Sequence, residues 1–472
     1  MTLLRASRAA SVKGRWPSYS DMKPINIEWI GEIPSHWATS KLGARCSVKA
    51  RLGWKGLKAS EYVDDGYILL STPNIKSNAI DFTNVNYITE SRYRESPEIM
   101  LEIDDVLIAK DGSTLGISNV IRGLPRPATV NSSIAVIRSR GGLDPLFLNY
   151  FFSSSYFQSV IEQMKDGMGV PHLFQADLRK FSLIKPPMEE QRSISTFLDR
   201  ETAKIDALIA KKQRLIELIE EKRTALINHA VTKGVDPGIL MKESGIDSLG
   251  QIPRDWELLS VRRFATSVEQ GWSPVAEDRQ AEDEEWAVIK LSAIHKGHFR
   301  SSEHKALPKE LIPERRYEIR DGDFLITRSN TPDLVGDVCV VGFPRSRLML
   351  CDLVYRVQVD EERIDKRFLS YSMLSQFGRH QITVEARGSS QSMVKIAQSH
   401  VRSLMIVAPR KQEQQSIVRF LDESTGRIDR LVSKVGDGIE KLHEYRTALI
   451  SAAVTGKIDV RGEAPDEPEE LS

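Results

Sequence analysis

The arrangement of apolar and polar positions predicts two long helices in this chain. Between residues 188 and 231 the sequence contains no glycine and no proline, and apolar residues recur at steps of three and four. That spacing places them on one face of an α-helix. A similar stripe runs from Ile428 to Ala453. We therefore expect two amphipathic helices, and about 30 residues from Asp199 onward would alone span roughly 45 Å.

A helix of this length with a single apolar stripe is not stable alone in water. We expect the two helices to pair as an antiparallel coiled coil; the alternative is that each packs only on its own domain. Gly436 and Gly438 replace Gln213 and Leu215 of the first helix, which predicts a bend or a loosened turn. The residues expected at the helix contact are Ile205, Leu208, Leu215, Ile219, Leu226, Ile428, Leu431, Val435, Ile439, Leu442 and Leu449.

The remaining segments combine short strands with shorter helices. Runs rich in β-branched and aromatic residues predict strands. They lie at 67–71, 105–109, 132–138, 286–291, 323–328 and 354–359. Helical stretches are expected at 146–164 and 367–382. These segments predict mixed α/β domains.

The chain is also an internal duplication, and this repeat defines its architecture. The pentapeptide RTALI occurs at 223–227 and again at 446–450, and the match extends back without a gap to Pro186 and Pro409. A second matching block aligns residues 22–37 with residues 241–256. Each half therefore has a shared start, a divergent middle and a shared end.

The fold class that follows is α+β (mixed α/β), with two tandem-duplicated domains separated by two long helices that pair antiparallel with pseudo-twofold symmetry. The predicted segments are a first domain at 1–185 with a flexible basic lead-in at 1–21, a central helix at 186–234, a second domain at 235–408, a C-terminal helix at 409–459 and an acidic disordered tail at 460–472.

Composition and charge restrict the class of protein only loosely. The 472 residues are enough for two or three domains, with 40% hydrophobic and 28% charged residues. The net charge is +1, but residues 462–472 hold five acids and no bases, so the preceding 461 residues carry +6. That charge permits DNA binding. Three cysteines without metal-type spacing and the absence of a secretory signal favour a cytoplasmic location.

The motifs of the enzyme classes considered are absent from the sequence. There is no GxxxxGK[ST] phosphate loop, no GxGxxG and no Asn-Pro-Pro-aromatic or Asp-Pro-Pro-aromatic tetrapeptide of an amino-methyltransferase. His295, His298 and His304 lie close together, but no further Cys or His cluster completes a metal site. We expect no catalytic residues and no metal site in this chain.

The repeated blocks resemble the specificity subunit of type I restriction–modification systems. The resemblance rests on the shared start, Trp29 to Trp37 and Ser248 to Trp256, and on the shared end, Pro186 to Gly234 and Pro409 to Gly456. It covers about residues 22–458. Ser248 departs from Trp29, and Arg410 from Pro187, without breaking the pattern.

The resemblance implies that each divergent middle is a target recognition domain for one half of a bipartite double-stranded DNA sequence. The helices would set the spacing and dock two methyltransferase (modification) subunits, and restriction/translocase subunits would join the full complex. S-adenosylmethionine, ATP and Mg²⁺ are then expected only in those partner subunits. The alternatives are a related type IIB/IIG-like restriction system, an enzyme with its own methyltransferase or nuclease site, and a coiled-coil adaptor that does not bind DNA.

Loops rich in basic, small polar and glycine residues are the candidates for DNA contact, because such residues bind phosphates and base edges. An ordinary surface turn is the alternative for each. The candidates are Lys49, Arg51, Trp54, Lys55, Lys58, Lys110, Ser113, His172, Arg328, Asn330, Ser389, Ser390 and Gln391. The acidic insertion 277–286 would repel phosphate, and we predict that it faces away from DNA.

Overall fold

The structure is a computed structural model that describes residues 15–27, 30–51, 56–165, 172–390 and 393–463. It divides into two compact units. The first comprises residues 1–212 and 436–472, and the second comprises residues 213–435. In the described part of the chain, no helix is both long and apolar enough to cross a membrane.

The first unit is built on short, largely antiparallel strands. In chain order they are β1 (Met22–Pro24), β2 (Glu32–Pro34), β3 (Ala38–Lys41), β4 (Cys46–Ala50), β5 (Tyr67–Leu70), β6 (Asn86–Ile88), β7 (Val106–Ala109), β8 (Ser118–Val120), β9 (Ala128–Val130), β10 (Ile134–Ser139) and β11 (Ser182–Lys185). Its helices are α1 (Leu42–Arg45), α2 (Glu90–Arg94), α3 (Pro145–Phe152), α4 (Ser155–Lys165), α5 (Gln175–Lys180) and the start of α6 (Met188–Lys233).

The second unit contains the end of α6 and a set of elements that corresponds to those of the first unit. The strands are β12 (Met241–Glu243), β13 (Gln251–Pro253), β14 (Glu257–Ser260), β15 (Ala265–Gln270), β16 (Ala287–Ile289), β17 (Ile294–His295), β18 (His298–Phe299), β19 (His304–Ala306), β20 (Phe324–Thr327), β21 (Ser329–Asn330), β22 (Val338–Val340), β23 (Leu348–Met349), β24 (Val354–Val359), β25 (Arg387–Ser390), β26 (Met393–Lys395) and β27 (Met405–Ala408). The helices are α7 (Lys366–Leu374), α8 (Gln376–Glu385), α9 (Gln398–Ser403) and the first part of α10 (Lys411–Val454).

The two divergent middles share one topology. The first unit has a four-stranded sheet in the order β4-β10-β7-β8 and a three-stranded sheet in the order β6-β5-β9. The second repeats both, as β15-β24-β20-β22 and β19-β16-β23. All six predicted strands are present within a few residues of their expected bounds. The duplication therefore extends through the segments whose sequences have diverged.

An ion pair between a strand arginine and a buried aspartate recurs in each unit. In the first unit, Arg138 donates to both carboxylate oxygens of the fully buried Asp105, at 2.7 and 2.8 Å. In the second, Arg356 donates to Asp323 at 3.2 Å and to Glu269 at 2.6 Å. A buried carboxylate needs such a partner because desolvation strongly disfavours an unpaired charge.

Each predicted helix at 146–164 and 367–382 is in fact a pair of helices. The break falls at a serine whose hydroxyl caps the second helix. Ser154 Oγ accepts a hydrogen bond from Phe157 N at 3.4 Å, and Ser375 Oγ accepts one from Gly378 N at 3.1 Å. Serine favours helix starts because its hydroxyl satisfies an amide that has no partner within the helix.

The long helices pack against each other in antiparallel fashion within the first unit. Arg446 Nε donates to Asp206 Oδ1 at 3.1 Å, and Lys212 lies beside Gly438. As the residue number rises along α6, the neighbouring number therefore falls along α10. Ile205 and Ile209 belong to the same buried core as Leu449.

The second unit contains the equivalent helix contact. Arg223 Nη1 donates to Asp429 Oδ1 at 2.8 Å. Ile227 of α6 lies in one buried core with Ile417 and Leu421 of α10. Helix α6, with 46 residues, is about 69 Å long and passes from the first unit into the second.

The residues of the predicted helix-pairing stripe differ in their burial, and three of them are exposed. Ile205, Ile219, Val435 and Leu449 are buried. Leu226, Ile428, Ile439 and Leu442 are half-buried. Leu208, Leu215 and Leu431 are between 43% and 47% exposed, so they flank the contact instead of filling it. A helix repeats every 3.6 residues, and the buried line on α6 moves to Ile209 and Ile227, leaving Leu208 and Leu215 outside.

Two further expectations need correction. Helix α10 continues without interruption through Gly436 and Gly438, so the loosened turn is not formed, and the alternative of a bend stays a prediction. Two residues of the predicted terminal segments also lie in the buried core of the first unit. Tyr19, in the expected flexible lead-in, is buried, and so is Val460 in the expected tail. Residues 1–14 and 464–472 lie outside the described residues.

Candidate nucleic-acid interface

The candidate loops of the first unit meet at one end of its four-stranded sheet. Strands β4 and β7 both run antiparallel to β10, so the ends of β4 and β7 lie beside the start of β10. Lys110 N donates to Ser133 O at 2.7 Å, and Leu173 N donates to Lys110 O at 3.0 Å. Three separate stretches, near residues 50, 110 and 172, are thus brought together.

The second unit has the same arrangement at the corresponding sheet end. Arg328 N donates to Leu353 O at 2.8 Å, and Ile396 N donates to Arg328 O at 2.9 Å. Strand β21 pairs with β26, and β26 pairs with β25. The chain that leaves β20 therefore continues into a small sheet. We call these two regions the sheet ends of the two units.

The candidate residues differ in their accessibility. Lys49, Lys58, Ser113 and His172 are exposed. Arg328 and Asn330 are partly exposed. Ser389 and Ser390 lie in β25, of which only the backbone is described, and Trp54, Lys55 and Gln391 lie outside the described residues. The DNA-contact predictions for these positions remain predictions.

Two candidates have positions that argue against phosphate contact. Arg51 is 3% exposed, and its guanidinium donates to Val130 O at 3.1 Å and to the hydroxyls of Ser96 and Thr129 at 3.3 Å each. We therefore correct its assignment to a residue that links the end of β4 to β9 and to Ser96. Lys110 is also buried, and desolvation lowers the pKa of its amine. The local sequence carries no sign that these two residues are buried, because their burial results from pairing with strands that are distant along the chain.

The structure adds Asp111 to the first sheet end. Its carboxylate is hydrogen-bonded to His172 Nδ1, and the two residues form an isolated antiparallel bridge. The imidazole also packs edge-on against the ring of Phe174, with centroids 4.5 Å apart. The sequence-based candidates from this loop were Lys110 and Ser113, and Asp111 was not among them. The signal that could have found it is its place directly after Lys110 at a strand exit.

Three acids of the acidic insertion of the second unit form ion pairs with nearby cations. Arg279 contacts Glu277 at 2.7 Å and Glu285 at 2.6 Å, and Lys305 contacts Asp278 at 2.9 Å. These contacts hold the pKa of Glu285 at about 2, below its ordinary value, chiefly through the hydrogen bond from Arg279. That this insertion faces away from DNA remains a prediction.

A repeated side-chain cluster attaches each unit's α/β domain to the helix pair. Tyr150 donates to Asp199, which also accepts two hydrogen bonds from Arg122 at 2.8 and 2.9 Å. In the second unit, the hydroxyl of Tyr371 donates to Asp422 at 2.8 Å, and Arg367 contacts the same carboxylate at 2.8 Å.

The arginine of this cluster comes from a different place in each unit. Arg122 follows β8, whereas Arg367 lies in the first turn of α7. The tyrosine and the aspartate occur at equivalent places in both units, whereas the arginine that pairs with the aspartate comes from a different element in each. Each domain is therefore held on its helix by the same chemistry.

Comparison with known proteins agrees with this description. Residues 34–218 match the family model for the type I restriction modification DNA specificity domain. The StySPI specificity subunit of Salmonella potsdam is 20% identical over 442 residues, covering 92% of each chain. The EcoKI specificity subunit of Escherichia coli strain K12 is 20% identical over 459 residues, again with 92% of each chain covered.

A solved structure supports the fold. A chain from work on the complex assembly and conformational transition of a type I R-M system superposes with a TM-score of 0.59 at 16% identity. The alignment covers 89% of this chain and 98% of the other.

The fold is a duplicated scaffold, in which one framework occurs twice with different side chains at the two sheet ends. Residues 34–218 carry the DNA specificity domain of type I restriction modification systems, and the matches over most of its length make the chain similar to the specificity subunits of such systems.

Proposed function

We propose that each unit reads one half of a bipartite double-stranded DNA target with its sheet end. The observation that carries this proposal is the contrast between backbone and side chains. The hydrogen bonds at Lys110 and Arg328 are equivalent in the two units, but the side chains that surround them differ. Two surfaces that share one backbone arrangement but carry different side chains can bind two DNA half-sites of different sequence.

We propose that the helix pair sets the spacing of the half-sites and docks two methyltransferase subunits. The support is the recurrence of the helix contacts in both units, because one partner that binds twice needs two like surfaces. Restriction/translocase subunits would complete the assembly. The chain itself would be non-catalytic and cytoplasmic, with S-adenosylmethionine, ATP and Mg²⁺ bound only by its partners.

The central test is to map methylated adenines in a strain that carries the chain with its modification partner and in a strain that lacks the chain. We expect a motif of two specific parts separated by unspecified bases. A single undivided motif would contradict the assignment of one half-site to each unit. If full complexes show no sequence-selective band shift under any condition, recognition itself is refuted.

A second test concerns Lys49, which lies in β4, and Lys58, which lies further along the same basic segment; both are exposed. We expect the double variant Lys49→Ala/Lys58→Ala to bind all DNA sequences more weakly. The slope of log affinity against log salt should become shallower by about two, because each phosphate contact releases roughly one counterion. Lys41→Ala is the matched control, since Lys41 is an exposed strand lysine that donates to Ser182 at 2.8 Å. An equal effect of the control would remove these lysines from the interface.

The non-catalytic part of the proposal is tested with the purified chain alone. Calorimetric titration with S-adenosylmethionine should detect no binding, whereas the complex with the modification subunit should bind it. Stoichiometric binding to the isolated chain would show that this chain has a cofactor site of its own.

A further inference from the structure

One position differs in chemistry between the two sheet ends while its backbone stays the same. In the first unit the bridge joins Asp111 to His172, and in the second the equivalent antiparallel pair joins Ser329 to Lys395. An acid and an imidazole thus occupy the places of a hydroxyl and an amine. This position varies in the way that two different half-sites would require.

The side chains of Asp111 and His172 are 30% and 34% exposed, and both extend from the sheet end to which Lys110 also belongs. An exposed carboxylate near DNA phosphates is electrostatically costly. It is retained at such a surface when it gains a specific hydrogen bond. We propose that Asp111 reads a cytosine in the first half of the target, with His172 as its positioning residue. This inference rests on the proposed function.

The chemistry of the base edges selects cytosine. A carboxylate carries only acceptors, and in the major groove cytosine presents the N4 amino donor, while guanine presents only acceptors. Adenine also has an amino donor, but the neighbouring N7 acceptor faces the carboxylate unfavourably. His172 engages Oδ1 of Asp111, and no described residue donates to Oδ2. One oxygen is therefore held in place, and with respect to the described residues the other keeps its acceptor capacity for a base.

A purely structural role is the competing explanation. In that case Asp111 would only fasten the segment around His172 to the exit of β7. Its loss would then lower stability and weaken binding to every sequence equally. A base-reading role instead changes the preference at one position of one half-site, while the other half-site serves as an internal control.

The test uses the full chain carrying Asp111→Asn, expressed with its modification partner, and adenine methylation is mapped across the genome. Asparagine keeps an acceptor for His172 and adds a donor, which matches adenine N6 and N7. One C·G position of the first half-site should lose its preference by about tenfold or more, or change to A·T. Competition binding with oligonucleotides that vary at this position should measure the same ratio.

Two further variants complete the test. Asp104→Asn removes the same charge from an exposed aspartate at the opposite end of β7 and should leave the motif unchanged. His172→Gln should weaken the same single base preference without moving it elsewhere. A wild-type bipartite motif that Asp111→Asn leaves unaltered, or weakens uniformly, overturns this inference alone. A wild type without a bipartite motif overturns the proposed function.

Discussion

Replacing Gly436 with alanine should stabilise the protein. Gly436 lies inside α10, where glycine costs about 0.5–1 kcal/mol relative to alanine because the unfolded chain is more flexible. A Cβ built at this position meets nothing within 4 Å, so no steric term offsets the gain. At Gly438 the nearest atom is Nζ of Lys212, 3.3 Å away at the end of a flexible side chain. The double variant should therefore gain up to about 2 kcal/mol.

The matched control is Gly456→Ala, just beyond the end of the same helix. Gly456 has a φ of +69°, and an added Cβ would lie 2.3 Å from Cδ of Pro34. Both the left-handed backbone and the overlap oppose alanine. This variant should lose stability, although the exchange of glycine for alanine is chemically identical.

Urea unfolding followed by circular dichroism measures the global effect, and amide hydrogen exchange of peptides from α10 measures the local one. Exchange near residue 436 should slow in Gly436→Ala. If that variant unfolds at lower urea, or exchanges faster, then the glycine provides a required departure from helical geometry and the reasoning from an open Cβ position is wrong.

Three other predictions follow from ion pairs. Arg356→Met should destabilise the second unit by about 3–5 kcal/mol in denaturant unfolding, because its buried aspartate partner keeps an unpaired charge. Arg446→Asp should cost up to about 1 kcal/mol, and the charge swap with Asp206→Arg should recover most of that loss in a double-mutant cycle. The pKa of Glu285 lies at about 2 instead of 4.5, so its contribution is present above pH 4.5 and is lost as the pH falls towards 2. Arg279→Gln should return that pKa towards 4.5 in an NMR titration.

Much of the scaffold could be predicted because it depends on local patterns. The 3.6-residue period and the lack of glycine predicted α6, and β-branched runs predicted strands such as β7 and β24. The exact face of the helix was harder. Leu208 and Leu215 are apolar and correctly spaced, but an antiparallel partner buries the adjacent line through Ile209. Where two neighbouring lines of apolar residues run along a helix, the sequence alone does not show which line the partner helix buries.

The sheet ends were less predictable, because long-range strand pairing assembles them. Arg51 belongs to a basic, glycine-containing segment of the sequence, yet it follows β4 directly and its guanidinium is buried against β9. The sequence also did not reveal that the divergent middle segments of the two halves share one topology. Apolar core positions tolerate exchange among residues of similar volume, so sequence identity fades while the fold persists. The serine caps at Ser154 and Ser375 survived that divergence, because a cap requires a particular hydroxyl at a particular position.

The repetition of the helix sequence has a physical reason in the ion pairs between the copies. Asp206 and Arg223 are 17 residues apart, as are Asp429 and Arg446. Antiparallel pairing places each aspartate beside the arginine of the other copy, so one spacing forms two equivalent contacts. A change in one residue of a pair would break its contact unless the partner residue changed with it, and this reciprocity restrains change in both helices. No such reciprocity links the sheet ends, and Asp111 and Ser329 could therefore diverge on an unchanged backbone.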